Sequence, residues 1–120
     1  TKRVAEFFGC VNFIHGVQKG KTIDTKYGVL DLPKLKTEED REVYLIVRNE
    51  CFEVSDEKGS FKAKIKSRIF MGTSVRYIIE ANGEVLHMTL ESTTTYKEGD
   101  EISLKFIVEK LWAVPFDDKL

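Results

Sequence analysis

The sequence predicts an all-β protein, rolled into one small barrel or two intertwined smaller ones behind a short N-terminal helix. The first observation behind this is alternation. Phe61, Ala63, Ile65, Ile69 and Met71 take one parity and Lys62, Lys64, Lys66 and Arg68 the other, the period-two signature of a strand with one buried face. The second is turn chemistry. Asn82-Gly83 separates two apolar runs, residues 72–81 and 84–90, and Gly99-Asp100 precedes a third, ISLKF. Asn-Gly favours a two-residue hairpin turn because both residues tolerate positive φ. The third is spacing: about ten short strands at near-regular intervals, with almost no helical periodicity, describe a barrel.

Taken in order, KRVAEFFG places Val4, Phe7 and Phe8 at helical spacing, and Gly9 falls where a left-handed cap is cheapest, so residues 1–9 form one or two helical turns. Val11, Phe13, Ile14 and Val17, bounded by Gly16 and Gly20, read as a first strand, and YGVLDL at 27–32 as another that ends before Pro33. Residues 34–42 are charged and lack apolar periodicity, which marks a loop. VYLIVR at 43–48 is apolar at both parities and is expected to be covered on both sides, as a central strand is. CFEV at 51–54 follows, and residues 56–60 carry turn chemistry. Val75, Tyr77 and Ile79 share one face of the next strand while Arg76, Ile78 and Glu80 share the other. Leu86, Met88 and Leu90, then Ile102, Leu104 and Phe106, repeat the pattern. A short apolar strand then closes the chain at Pro115. Short strands in this order fit a barrel of the OB type.

At 120 residues the chain suits one domain, or two very small ones, burying roughly two-thirds of its unfolded surface. Its 42 % hydrophobic and 32 % charged residues are those of an ordinary globular chain. No apolar run approaches the roughly 20 residues that span a bilayer as a helix. The chain opens at Thr1 without a charged-then-apolar leader, as expected of a piece cut from a longer protein. Cys10 and Cys51 are too few and too far apart for a disulfide framework or a metal knuckle, and read as small thiols in a reducing compartment. A net charge of −1 supplies no global field toward nucleic acid or acidic lipid.

Chemistry-bearing patterns are sparse. His15 and His87 stand in no motif with Ser, Cys or paired carboxylates, so neither is expected to be catalytic. No HExxH or acidic calcium loop occurs, and the run Glu38-Glu39-Asp40 reads as a solvated loop. A phosphate-binding GxxxxGK loop is missing, so this stretch of sequence is not expected to hydrolyse ATP. No cofactor is expected. The stripe Lys62, Lys64, Lys66 and Arg68, extended by Arg76, needs an offset from solvent, from acids on a neighbouring strand or from an anionic partner. A single-strand nucleic-acid binder would add Phe70 and Tyr77 as stacking platforms, but the balanced charge speaks against it. Continued alternation places Phe70 and Ile78 on the outer, charged face, where apolar residues among charges suggest a self-association surface.

Four blocks carry a family resemblance over nearly the whole length. VAEFFGCVNFIHG at 4–16 contains Asn12-x-x-x-Gly16, and YLIVRNE at 44–50 keeps Arg48 and Glu50 around Asn49, where the family pattern has proline. The block from 72 to 90, and then Gly99-Asp100-x-ISLKF with a terminal Val114-Pro115-Phe116-Asp117, complete the set. Together they resemble the transport-associated OB-type (TOBE) region that ends the ATP-binding subunits of ABC importers serving sugars, polyamines, sulfate or ferric iron.

The resemblance implies a non-catalytic regulatory and dimerisation domain over residues 10–120, joined by residues 1–9 to an ATPase domain that carries ATP and Mg. It implies barrel subdomains whose strands come from separated parts of the chain. The implied partners are a second ATPase subunit, the transporter's membrane subunits and a small-molecule or protein regulator, at the cytoplasmic face of the membrane and without nucleic acid. The alternative is a free-standing OB-type binder of molybdate or sulfate. Its donors would be drawn from Arg48, Lys66, Thr73, Ser74 or Arg76, since tetrahedral anions need convergent N–H and O–H groups.

Overall fold

The computed structural model describes residues 11–116, and they are all-β apart from one 3₁₀ turn, Val108–Lys110. The strands are β1 Val11–Lys19, β2 Thr22–Thr25, β3 Gly28–Asp31, β4 Arg41–Arg48, β5 Phe52–Val54, β6 Phe61–Phe70, β7 Ser74–Ala81, β8 Glu84–Glu91, β9 Glu101–Phe106 and β10 Trp112–Pro115. The expected helix over residues 1–9 lies outside the described residues. The chain divides into two compact units. One combines Thr1–Arg48 with Ile107–Leu120; the other is the continuous stretch Asn49–Phe106.

The first unit is a five-stranded antiparallel sheet in the order β10-β4-β1-β2-β3. β1 turns Asn12, Ile14, Gly16 and Gln18 inward against Val47, Leu45, Val43 and Arg41 of β4. The inward parity is that of Asn12 and Gln18, with Val11, Phe13 and Val17 half-buried on the other. Two polar residues occupy it, and both are satisfied, as burial demands: the Asn12 amide donates to the Val47 carbonyl at 3.1 Å, and Gln18 is fully bonded, as described below. The spacing Asn12-x-x-x-Gly16 therefore places both residues on one strand face, the amide tying β1 to β4 and the glycine making room for β2.

A Cβ on Gly16 would stand 2.6 Å from Ile23 Cγ2 and 3.2 Å from the Asp24 carbonyl oxygen. Ile23 is completely buried, so it has little room to yield. Gly16→Ala is expected to destabilise the first unit by about 2 kcal/mol, as overpacking does, read as a lower urea midpoint at unchanged m-value. An unchanged midpoint would mean that β2 can move away from β1 at no cost.

β4 is an interior strand, between β10 and β1, but the two faces of its apolar run are not equally covered. Val43, Leu45 and Val47 are fully buried, while Tyr44 and Ile46 are half-covered. On that second side Phe116 stacks at 4.8 Å from Tyr44, and Phe13 meets Tyr44 edge-on at 5.9 Å. β10 pairs along β4 with Trp112 opposite Ile46 and Pro115 opposite Val43, closing at Pro115 as the sequence suggested and two residues ahead of the terminal block that the resemblance implied. Pro115 is tolerated because β10 is an edge strand. β2 escaped the sequence reading because a four-residue strand containing only one strongly apolar residue, Ile23, has too short a period to detect.

The second unit is a five-stranded antiparallel sheet in the order β5-β9-β6-β7-β8. It curls until its edges meet: the Thr89 N–H of β8 donates to the Asn49 carbonyl just before β5, at 2.8 Å. Inside stand Ile65, Tyr77, Ile79, Met88 and Leu104, all completely buried, with the rings of Phe61 and Phe52 at 4.9 and 5.4 Å from Phe106. Asn82 and Gly83 take φ of 50° and 79°, as the β7–β8 turn requires. Gly72, at φ 94°, opens the two-residue turn between β6 and β7, where the Met71 N–H bonds the Ser74 carbonyl.

Alternation along β6 does not continue to its end. Ile65 pairs with Ile79 but Ser67 pairs with Ile78, leaving Lys66 as an extra residue in a β-bulge. The bulge falls where β9 gives out as a partner: Ile65 is the last residue of β6 bonded on that side, donating to the Asp100 carbonyl and accepting from the Gly99 N–H at the turn before β9. Past it the parity inverts. Arg68 comes to lie opposite Tyr77, Ile69 opposite Arg76 and Phe70 opposite Val75. Directly paired residues share a face, so Ile69 is outer, whereas Arg68 and Phe70 are on the side of Val75 and Tyr77. The expectation that Ile69 continues the buried face is overturned.

Candidate functional site

The bulge decides what the predicted interface and stripe become. Phe70 and Ile78 do not share the outer face. Phe70 is 59 % exposed near the hairpin tip on the Val75 side, while Ile78 is half-buried on the other side between Ser67 and His87. A single surface built from both is therefore corrected. The cationic stripe is shortened as well, because Arg68 leaves it. Arg68 instead donates through Nη2 to the Thr94 carbonyl at 3.2 Å, beside the Tyr77 hydroxyl, which lies 2.8 Å from Thr94 Oγ1. Of the lysines that remain, Lys64 is flanked directly by Glu80 on β7 and Glu101 on β9. Acids on neighbouring strands thus supply the offset at that position, each such cross-strand pair contributing roughly 0.2–1 kcal/mol.

The proposed anion donors are distributed rather than gathered. Arg48 is the exposed last residue of β4 in the first unit. The other four belong to the second unit: Lys66 is the exposed bulge residue, Thr73 lies in the β6–β7 turn, Ser74 begins β7 opposite Glu91, and Arg76 is half-buried between Ile69 and Thr89. From the Ser67 rung to the Phe70 rung is about 10 Å at the ordinary strand rise, so Lys66 and the turn pair Thr73 and Ser74 start well apart along the hairpin.

The histidines have ordinary surroundings. His15 Nε2 is 3.2 Å from Glu42 Oε2 on the adjacent strand, and its ring meets Phe116 edge-on at 5.1 Å. His87 lies opposite Ile78 in the β7–β8 ladder. Cys51 is buried. Among the described residues no three His, Cys, Asp or Glu side chains gather as a metal site would need, and no helix is long and apolar enough to cross a membrane.

One convergent group of side chains went unnoticed in the sequence, within the charged loop ahead of β4. Gln18 of β1 is completely buried, and its amide donates to the Gly20 carbonyl at 3.0 Å and the Thr37 carbonyl at 2.8 Å. Its Oε1 accepts from Arg41 Nε at 2.9 Å. The Lys21 ammonium donates to the Leu35 carbonyl. These bonds fold residues 34–37 back over the sheet beside Trp112. The signal that could have found them is the lone tryptophan of the chain, set among apolar neighbours in LWAVP.

A five-stranded antiparallel sheet curled until its edges bond, interrupted by a bulge and built without a catalytic constellation among the described residues, defines an OB-like β-module. The model of the TOBE domain matches residues 45–114, from β4 through β10, and the chain belongs to that family. No curated protein matches the chain.

Proposed function

We propose that this chain is the regulatory and dimerisation region that follows the nucleotide-binding domain in the ATP-binding subunit of an ABC importer. The observation that carries the proposal is TOBE membership over residues 45–114. The interleaving of the units supports it: the first is assembled from two segments that flank the second, in keeping with barrel subdomains drawn from separated parts of one chain. In this role the region does no chemistry. ATP and Mg belong to the preceding domain, and this one pairs with its copy in a second subunit at the cytoplasmic face, beneath the membrane subunits. A regulator that favours one arrangement of the pair shifts the ATPase equilibrium by its differential affinity for the two arrangements.

The test is the native gene upstream of Thr1. The reading frame is expected to continue into a domain with GxxxxGK followed by Ser or Thr, and an LSGGQ-like signature. A start codon immediately before Thr1 would overturn the proposal. The spread of Lys66, Thr73, Ser74 and Arg76 along one hairpin gives the oxyanion-binder reading no support. Calorimetric titration with sulfate and molybdate is accordingly expected to show no micromolar binding.

A further inference from the structure

The first unit holds a cleft beside the start of β10. Its inner lobe, about 140 Å³, is lined chiefly by the apolar side chains of Leu32, Pro33, Leu35, Val108 and Leu111. An outer lobe of about 400 Å³ adds Lys36, Thr37 and Arg41. Lys34, Leu35 and Trp112 line both lobes, so the two adjoin one another. Trp112 is 48 % exposed, an uncommon state for the largest side chain unless part of its surface is kept for contact.

The charges are one-sided where the apolar wall ends. Lys34, Lys36 and Arg41 border the cleft, and the one acid on its lining is Glu109, at the inner lobe. Among the described residues no carboxylate forms an ion pair with Lys34, Lys36 or Arg41. Arg41 is also set in place. Its Nε is held by the fully buried Gln18, which leaves the two terminal amino groups of the guanidinium as donors of fixed direction. A planar cation held at one edge is suited to bidentate recognition of a carboxylate or phosphate. The loop bearing the two lysines is fixed by the same glutamine through Thr37, and by Lys21 through Leu35.

We propose that this cleft binds a small organic anion, a ring or short hydrocarbon body carrying a carboxylate or phosphate. The body lies against Trp112 in the apolar lobe and the acidic group meets Arg41, Lys34 and Lys36. A concave site of a few hundred Å³ with an apolar wall and a few convergent polar groups is the usual form of a small-ligand site. The proposal rests on the first unit alone and holds whether or not the chain serves an importer.

Trp112 is the only tryptophan, so its emission reports on the cleft directly. Titrating the full chain with phenyl phosphate and with benzoate is expected to change that emission saturably, and the tighter of the two probes identifies the acidic group. Inorganic phosphate, which lacks the body, and benzyl alcohol, which lacks the charge, are each expected to bind at least about tenfold more weakly. The double variant Lys34→Ser/Lys36→Ser, at two exposed positions, is expected to weaken the better probe by a similar factor while its unfolding midpoint stays in place. Trp112→Phe, followed by calorimetry, is expected to weaken it as well. No saturable response to either probe overturns the proposal. So does equal binding of inorganic phosphate or benzyl alcohol, or unchanged affinity in the double variant.

Discussion

Replacing Tyr77 with alanine is expected to destabilise the second unit by about 4 kcal/mol, the range of a fully buried aromatic cut back to Cβ. Tyr77 is completely buried in the middle of β7, its ring meets Tyr96 edge-on at 5.9 Å, and its hydroxyl lies 2.8 Å from Thr94 Oγ1. The same threonine's carbonyl receives Arg68. One side chain thus fills the core and fastens the segment between β8 and β9 against the β6–β7 hairpin. Tyr77→Phe separates the two contributions, since it keeps the ring and removes one hydrogen bond, and is expected to cost only about 1 kcal/mol. Urea unfolding followed by circular dichroism measures both. If the alanine and phenylalanine variants lost the same amount, the ring would contribute little and the packing argument would fail.

Gln18→Leu is expected to destabilise the first unit by about 2–3 kcal/mol although it exchanges a polar core residue for an apolar one of similar size. The wild-type amide serves three partners, the carbonyls of Gly20 and Thr37 and the Nε of Arg41. Leucine serves none, and partly buried groups that lose a partner keep their desolvation cost. The loss should be local in its consequences. Residues 34–37 are expected to exchange amide hydrogens faster than the β1–β4 ladder, and phenyl phosphate to bind less tightly because Arg41 is no longer held. A Gln18→Leu protein as stable as its parent would show that water replaces all three contacts.

Much of the fold was legible because the relevant physics is local. Asn82-Gly83 announces its turn through φ alone, and Phe61, Ala63 and Ile65 announce a buried face through the two-residue period of an extended chain. The interior position of β4 follows from apolar residues at both parities. Membership of the TOBE family was also readable, since it rests on the order of short motifs and not on any contact between them. Which parity of β1 faces inward was not legible, because Asn12 and Gln18 are held in buried places only by hydrogen-bond partners on other segments. The end of β6 was misread for a similar reason.

The sequence by itself therefore determined the class of structure, the turns and most strand positions, each of which depends on a residue and its near neighbours. Tertiary structure alone decided the register. The bulge at Lys66 is fixed by where β9 stops bonding to β6, and that one extra residue turns Arg68 and Phe70 away from the face their parity assigned. It likewise decided the candidate site, for Gln18, the segment from Thr37 to Arg41, and Trp112 are far apart in sequence and meet only because β1 lies between β2 and β4, and β10 joins the outer edge of β4. Hydrogen-bond partners and charge clusters across strands are pairwise facts about distant segments, and no local period encodes them.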